Sequence, residues 1–127
     1  SQTRGIFAGG YTPAINSIDF ITMSTLGNSA DFGNLVMTDS GQVGGASNAV
    51  RGIFSGDTSI DYITIATLGD STDFGDLSAD QAYCSNASSP TRVIFASGIS
   101  HPGTNNVVEY ITTFKNLVHF SFSKKIP

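Results

Sequence analysis

The residues of this chain most able to do chemistry are two histidines and a short run of aspartates. His101 and His119 stand alone, since no His-x-x-x-His pair or His/Asp/Glu cluster at ligand spacing accompanies them. Asp70, Asp73 and Asp76 lack the Asp-x-Asp-x-Asp-Gly order of a calcium loop. Aspartates near glycines are typical of turns, where they bond nearby backbone amides. The sequence therefore predicts no bound metal ion and no cofactor.

Covalent catalysis finds equally little support. A serine nucleophile needs a base within hydrogen-bond reach and a third group that orients the base, and no Gly-x-Ser-x-Gly elbow occurs. A glycosidase pair of carboxylates stays open, because two of the ten acidic residues could meet in space. Acidic residues that recur in every repeat are better explained as scaffold. The sequence predicts a protein that is not an enzyme and has no catalytic residues.

Composition and charge narrow the class of protein. The chain has 127 residues, 14 of them glycine, and a net charge of −4, a profile of turn-rich β proteins in one domain spanning residues 1–127. Its six basic residues form no patch, so we expect no nucleic-acid partner. No apolar run approaches the roughly 20 residues needed to cross a bilayer, so we expect no membrane span. Cys84 is the only cysteine, which excludes an internal disulfide and a cysteine-based metal site.

Internal repetition is the strongest signal in the sequence. Three blocks recur, approximately within residues 3–48, 49–89 and 90–127. Arg4-Gly-Ile-Phe returns at Arg51 and, as Arg-Val-Ile-Phe, at Arg92; Ser-Ile-Asp-Phe-Ile-Thr from Ser17 returns at Ser59 and, loosely, at Val107. Asp31-Phe-Gly-Asn-Leu returns at Asp73 and weakly as residues 113–117. The arginines recur about every 40 to 50 residues, the length of a propeller blade.

The first two blocks are rich in Ile, Phe, Tyr and Thr and are bounded by turn residues, so both are predicted to be strands. Their apolar runs are continuous, as expected when neighbouring sheets cover both faces. A fourth strand per repeat is predicted just before each arginine, at residues 43–47 and 82–85, where small side chains would suit crowding of the innermost strands. The same composition is also compatible with a plain loop. Residues 118–123 alternate apolar and polar and predict a last strand at an edge, closed by Lys124, Lys125 and Pro127.

The repeats resemble blades of kelch-type β-propellers. The resemblance rests on Gly9-Gly10 after an apolar strand, an aromatic residue in the next strand, and Phe32 followed by Leu35; phenylalanine stands where kelch repeats usually carry tryptophan. The amino-acid sequence of the repeats is also similar to tandem repeats in tail-associated proteins of marine phages and viruses. These resemblances imply an all-β fold of four-stranded antiparallel blades and favour a virion or extracellular location. They specify a scaffold and no chemistry.

Two structural expectations follow from the repeats. Three blades fall short of the four to eight in a propeller, so either two chains close a six-bladed ring as a homodimer or the chain is part of a longer repeat protein. The recurring arginines suggest ion pairs from Arg4 and Arg51 to Asp31 and Asp73, with Arg92 left without that partner because Thr113 aligns there.

The candidate binding face lies where the repeats disagree most, in the connections between the first and second blocks. Variable loops on a constant scaffold often carry recognition, although ordinary solvated turns would look the same. The predicted ligand-binding residues are Tyr11, Asn16, Asp57, His101, Asn105 and Asn106.

The first functional hypothesis is a non-enzymatic structural or interaction module of a phage or viral surface assembly. The alternatives are a carbohydrate-binding propeller that takes a surface glycan and a kelch-like sugar-modifying enzyme.

Overall fold

The fold is all β in the residues that the computed structural model describes, which are 3–37, 41–100, 103–112 and 124–125. This confirms the all-β part of the predicted fold, and the propeller arrangement stays a prediction. No helix in these ranges is long and apolar enough to cross a membrane. The strands are β1 (Arg4–Ala8), β2 (Ser17–Thr22), β3 (Ala30–Asn34), β4 (Gly44–Ser47), β5 (Arg51–Gly56), β6 (Ser59–Thr64), β7 (Thr72–Asp76), β8 (Ser85–Ser88), β9 (Arg92–Ser100), β10 (Gly103–Thr112) and β11 (Lys124–Lys125).

The described strands form three antiparallel sheets in the order of the chain. The first sheet is β1-β2-β3, the second is β4-β5-β6-β7, and the third is β8-β9-β10-β11. Each arginine that opens a repeat faces the threonine that closes the next strand, since Arg4 pairs with Thr22 and Arg51 with Thr64. The third sheet keeps this register, with Arg92 opposite Thr112. The repeated sequence therefore builds the same hairpin three times.

The small-residue segments before the arginines form strands and are not loops. The strand predicted at 43–47 is observed at β4, whereas the one predicted at 82–85 begins three residues later, as β8. Tyr83 has a φ of 56°, which interrupts an extended strand, and Ala82 makes only an isolated bridge to Ile99. The described residues include no such strand beside β1.

Close contact between β4 and β8 explains their small side chains. A Cβ on Gly44 would lie 2.8 Å from the side-chain nitrogen of Asn86 and 3.1 Å from the carbonyl oxygen of Cys84. The Ser88 hydroxyl donates to the Ser47 carbonyl at 2.7 Å, so the two strands are also hydrogen bonded at their ends. Larger residues would force these strands apart.

Two apolar clusters lie between consecutive sheets, and the second sheet contributes to both. Ile53 and Ile60 pack towards the third sheet, whereas Phe54 and Ile63 pack towards the first. Neighbouring residues of a strand point to opposite faces, so covering both faces requires the continuous apolar run seen in the sequence. That prediction is confirmed for the second sheet. The remaining members of the cluster between the first and second sheets are Ile18, Phe32, Leu35 and Met37. Those of the cluster between the second and third sheets are Phe74, Leu77, Cys84, Val93, Phe95 and Ile111.

Each repeated arginine lies over the aromatic ring of the neighbouring strand. The guanidinium carbons of Arg4, Arg51 and Arg92 are 4.7, 4.6 and 4.9 Å from the ring centroids of Phe20, Tyr62 and Tyr110. Such cation–π contacts account for the recurrence of an arginine opposite an aromatic residue. The expected ion pairs to Asp31 and Asp73 stay predictions.

The end of the third repeat lies mostly outside the described residues. This applies to the weak third block at 113–117 and to the strand predicted at 118–123. Lys124 and Lys125, predicted to close that strand, are themselves paired with Val108 and Val107 at the edge of the third sheet.

Arg4 also joins two sheets, and this generates a first prediction. Its Nη1 donates at 2.7 Å to the carbonyl of Ile65, which directly follows β6 of the second sheet. We expect Arg4→Met to lower the free energy of unfolding by about 1 to 2 kcal/mol in urea titrations, because the cation–π contact and this hydrogen bond are both lost. Arg92→Met is the matched control, since it removes an exposed arginine and its ring contact alone. Equal losses in the two variants would contradict a stabilising link between the sheets.

A second prediction concerns the glycines at the contact of the first two sheets. Gly33 has a φ of 152°, and a Cβ there would overlap the backbone carbonyl of Gly69. Gly27 has a similar φ of 149° but open space around it. We expect Gly27→Ala to lower the free energy of unfolding by about 1 to 2 kcal/mol, because alanine is strained at this φ. Gly33→Ala should lower it by about 1 to 3 kcal/mol more, because the added methyl group overpacks the contact. Equal midpoints of thermal unfolding would show that the sheets separate easily here.

Candidate recognition face

The connections at one end of the sheets form the candidate recognition face. These are residues 9–16 between β1 and β2, residues 57–58 between β5 and β6, residues 35–37 after β3, and residues 77–84 between β7 and β8. The Leu35 amide donates to the Asn16 carbonyl at 2.7 Å, and the Leu77 amide donates to the Thr58 carbonyl at 2.6 Å. The chain leaving each outer strand is thus held against the central hairpin of its own sheet, as the meander predicts.

The connection between β1 and β2 is fixed by its own backbone. The Gly9 amide donates to the Ser17 carbonyl at 3.0 Å, which closes the base of the loop. The Ile15 amide donates to the Gly10 carbonyl at 3.1 Å, which closes it again within the loop. Tyr11 at the tip is 70% exposed. The loop therefore presents an aromatic ring and its hydroxyl to solvent from an ordered backbone.

Positive φ angles of non-glycine residues concentrate at this face. Thr12, Asp57 and Tyr83 have φ values of 77°, 52° and 56°, and they are the non-glycine residues with positive φ among those described. All three belong to the connections just defined. For a β-branched residue such as Thr12 this conformation is a clear outlier, and strained residues gather at binding sites more than elsewhere.

Tyr11, Asn16 and Asp57 of the predicted site lie at this face. Tyr11 and Asn16 are exposed. The Asn16 side chain donates to the Leu35 carbonyl at 3.3 Å, and Asp57 is half-buried and accepts the Gln81 amide at its carbonyl, at 3.0 Å. Both residues shape the connections. His101 lies outside the described residues.

Asn105 and Asn106 were predicted to lie in a connection between strands, and this prediction was wrong. They belong to β10, because β9 and β10 continue to pair, with Asn105 opposite Gly98 and Gly103 opposite Ser100. The pairing is irregular between Asn105 and Val108, as a bulge would make it. Strand pairing thus overrides the turn preference of asparagine.

Sequence reasoning missed Tyr83 as a surface residue. It is 58% exposed, in the connection between β7 and β8. An aromatic residue within the polar segment 80–86 was the available signal, but the segment was interpreted as a strand. Tyr11 and Tyr83 are thus the two exposed aromatic residues that the connections carry.

Two buried carboxylates, Asp61 on β6 and Glu109 on β10, are engaged in holding the sheets together. Asp61 Oδ2 accepts the amides of Val36 and Met37 at 3.0 Å each and the Ser71 hydroxyl at 2.5 Å. Glu109 accepts the Ser78 amide at 3.0 and 3.2 Å and the Gln81 side-chain amide at 2.9 Å. Each is 1% exposed, so neither carboxylate reaches a substrate.

The thiol is buried in a polar contact. Cys84 Sγ lies 3.2 Å from Ser55 Oγ, and the Asn86 side chain lies 3.1 Å from the same hydroxyl. Burial raises the pKa of the Cys84 thiol above its usual range. Because the thiolate is the nucleophile, Cys84 is suited to packing and not to catalysis.

In the ranges that the structure describes, no group of three His, Cys, Asp or Glu side chains is placed to hold a metal ion. No protein-family model matches the chain, and comparison with curated proteins finds no match. The resemblance of the repeats to kelch blades stays a prediction.

The raised pKa of Cys84 gives a third prediction. We expect Ellman's reagent at pH 8 to react with the native thiol at least about tenfold more slowly than with the unfolded chain, because the buried thiol is both less accessible and less ionised. The native rate should keep rising with pH beyond the range in which the unfolded thiol levels off. A native rate equal to that in guanidinium would contradict the burial of Cys84.

Proposed function

We propose that the chain is a non-enzymatic interaction module, built from consecutive blades of a propeller-type array, that binds a partner at the candidate recognition face. The observation that carries this proposal is the coincidence of backbone strain with exposed rings. Thr12 lies next to Tyr11 in one connection, and Tyr83 is both strained and exposed in another. Strained loops held by backbone hydrogen bonds present aromatic side chains at little entropic cost, which favours binding.

The packing of the sheets supports the propeller part of the proposal. Antiparallel meanders follow one another along the chain and pack face to face, and the small-residue strands β4 and β8 lie side by side. Radial repetition of four-stranded sheets has this local arrangement. This packing, together with the resemblance of the repeat sequence to phage proteins, supports a structural role in a virion or extracellular assembly. A second copy or further repeats would complete the propeller.

A surface glycan is the second candidate partner. Tyr11 and Tyr83 supply exposed rings of the kind that stack on sugars, and the Tyr hydroxyls can hydrogen bond to them. A protein partner would use the same rings as anchors.

Binding tests give a fourth prediction. The wild-type chain is applied to a glycan array and, in parallel, to immobilised whole virions or host-cell envelopes, and the strongest response is measured by biolayer interferometry. We expect Tyr11→Ala and Tyr83→Ala each to weaken this binding at least about tenfold, as anchoring aromatic residues do.

Val50→Ala is the matched control, since Val50 is half exposed in the turn between β4 and β5, at the opposite end of the second sheet. It should bind like wild type. Loss of binding in Val50→Ala with retention in both tyrosine variants would place recognition at the wrong end of the sheets.

A further inference from the structure

The contact between the first and second sheets depends on a small set of polar groups in the second sheet. Besides Asp61, the loop between β6 and β7 contributes three contacts. The Gly69 amide donates to the Phe32 carbonyl and the Ser71 amide donates to the Asn34 carbonyl, both at 2.8 Å. The Asp70 carboxylate accepts the Asn34 amide at 2.9 Å. These groups bind an outer strand and the two amides that follow it.

The first sheet carries the same groups on the side that faces away from the second. The loop Leu26-Gly-Asn-Ser-Ala-Asp repeats Leu68-Gly-Asp-Ser-Thr-Asp, and Asp19 stands where Asp61 does. Asp19 is only half-buried, and no hydrogen bond to its carboxylate, or to the side chains of Asn28 and Ser29, is made by the residues described. The binding groups are therefore present without the strand that they would bind.

The apolar residues around these groups are exposed in the first sheet, whereas their counterparts in the second sheet are buried. Phe7 and Met23 are 58% and 62% exposed, whereas their counterparts in the second sheet, Phe54 and Ile65, are 6% and 4% exposed. Phe7 pairs directly with Asp19, so both lie on one face, as Phe54 and Asp61 do. We call this surface, with Phe7, Asp19, Met23 and the loop 26–29, the open face.

The edge of β1 left unpaired by the described strands borders a pocket between the first and second sheets. In the described residues β1 lacks the small-residue strand that β4 and β8 provide in the other sheets. A pocket of about 260 Å³ lies between the first and second sheets, lined by Arg4 and Ile6 of β1 and by Gly45, Ala46 and Ser47 of β4. A strand of small residues next to β1 would lie beside β4 as β8 does.

We propose that the open face binds the outer strand of a further repeat of the same type, with the sequence Phe-Gly-(Asn/Asp)-Leu, whose next two amides bond to Asp19 and whose following small-residue strand pairs with β1. The inference rests on the repeat architecture proposed above and not on recognition at the loop end.

A second copy of this chain fits the open face less well than a further repeat does. In such a copy β3 is already bound by the second sheet, and the segment after β7 is bound by Glu109. The remaining sequence of this type, residues 113–117, has Lys115 where Gly33 stands. No room exists for a Cβ at Gly33 against the Gly69 carbonyl, so the occupant needs a glycine there.

A duplication tests this directly. A copy of residues 3–50 is placed immediately before Arg4, so that the new junction reproduces the natural link from Val50 to Arg51. We expect the melting temperature to rise by about 3 °C or more, because an interface is added to the array. Asp19→Asn in the downstream copy should remove most of that gain, yet shift the midpoint of the 127-residue chain by less than about 1 °C. Asp61→Asn should lower the midpoint in both chains.

Accessibility gives a readout that does not depend on stability. In a Met23→Cys variant, we expect the introduced thiol to react rapidly with a maleimide in the 127-residue chain and at least about tenfold more slowly at the downstream site of the duplicated chain. Unchanged labelling, or a thermal gain insensitive to Asp19→Asn, would overturn the proposal. So would analytical ultracentrifugation showing dimers of the 127-residue chain that Asp19→Asn abolishes, since the occupant would then be a second copy. None of these outcomes depends on Tyr11 or Tyr83.

Discussion

A buried carboxylate that accepts backbone amides from the preceding sheet is the interaction on which the arrangement of sheets depends. A carboxylate with 1% exposure must be compensated by hydrogen bonds, because a buried charge without partners costs several kcal/mol. Asp61 finds its partners in Val36, Met37 and Ser71, and Glu109 finds them in Ser78 and Gln81. The apolar clusters supply most of the driving force for burial, but they are not directional. The carboxylates fix where one sheet lies on the next.

Much of the fold follows from the sequence, because its determinants are local or repeated. The paired blocks of β5 and β6 are bounded by turn residues, and their continuous apolar runs predict cover on both faces, which Ile53 and Phe54 confirm by packing in opposite directions. The displacement of β8 by three residues was not predictable, since residues 82–88 are mostly small throughout. Only the backbone of Tyr83 separates the connection from the strand.

The candidate site was less accessible to sequence reasoning, for a physical reason. Exposure and strain depend on how distant segments meet. Asn16 and Asp57 have side chains suited to ligands, but the Asn16 amide donates to the Leu35 carbonyl, and the Asp57 backbone carbonyl holds the segment after β7 through the Gln81 amide. The roles of Asp61 and Glu109 likewise need partners from another sheet. Tyr11, at the tip of a loop longer than its counterparts, was predictable because no strand competes for it.

The offset between repeats and sheets affects how such an array can change in length. The second and third sheets take their first strand from sequence that precedes the repeated arginine, as β4 does before Arg51 and β8 before Arg92. A gene segment cut at the arginines therefore encodes three strands of one sheet and the first strand of the next. Duplication or loss of such a segment would change the number of sheets and reproduce the same junction between one sheet and the next.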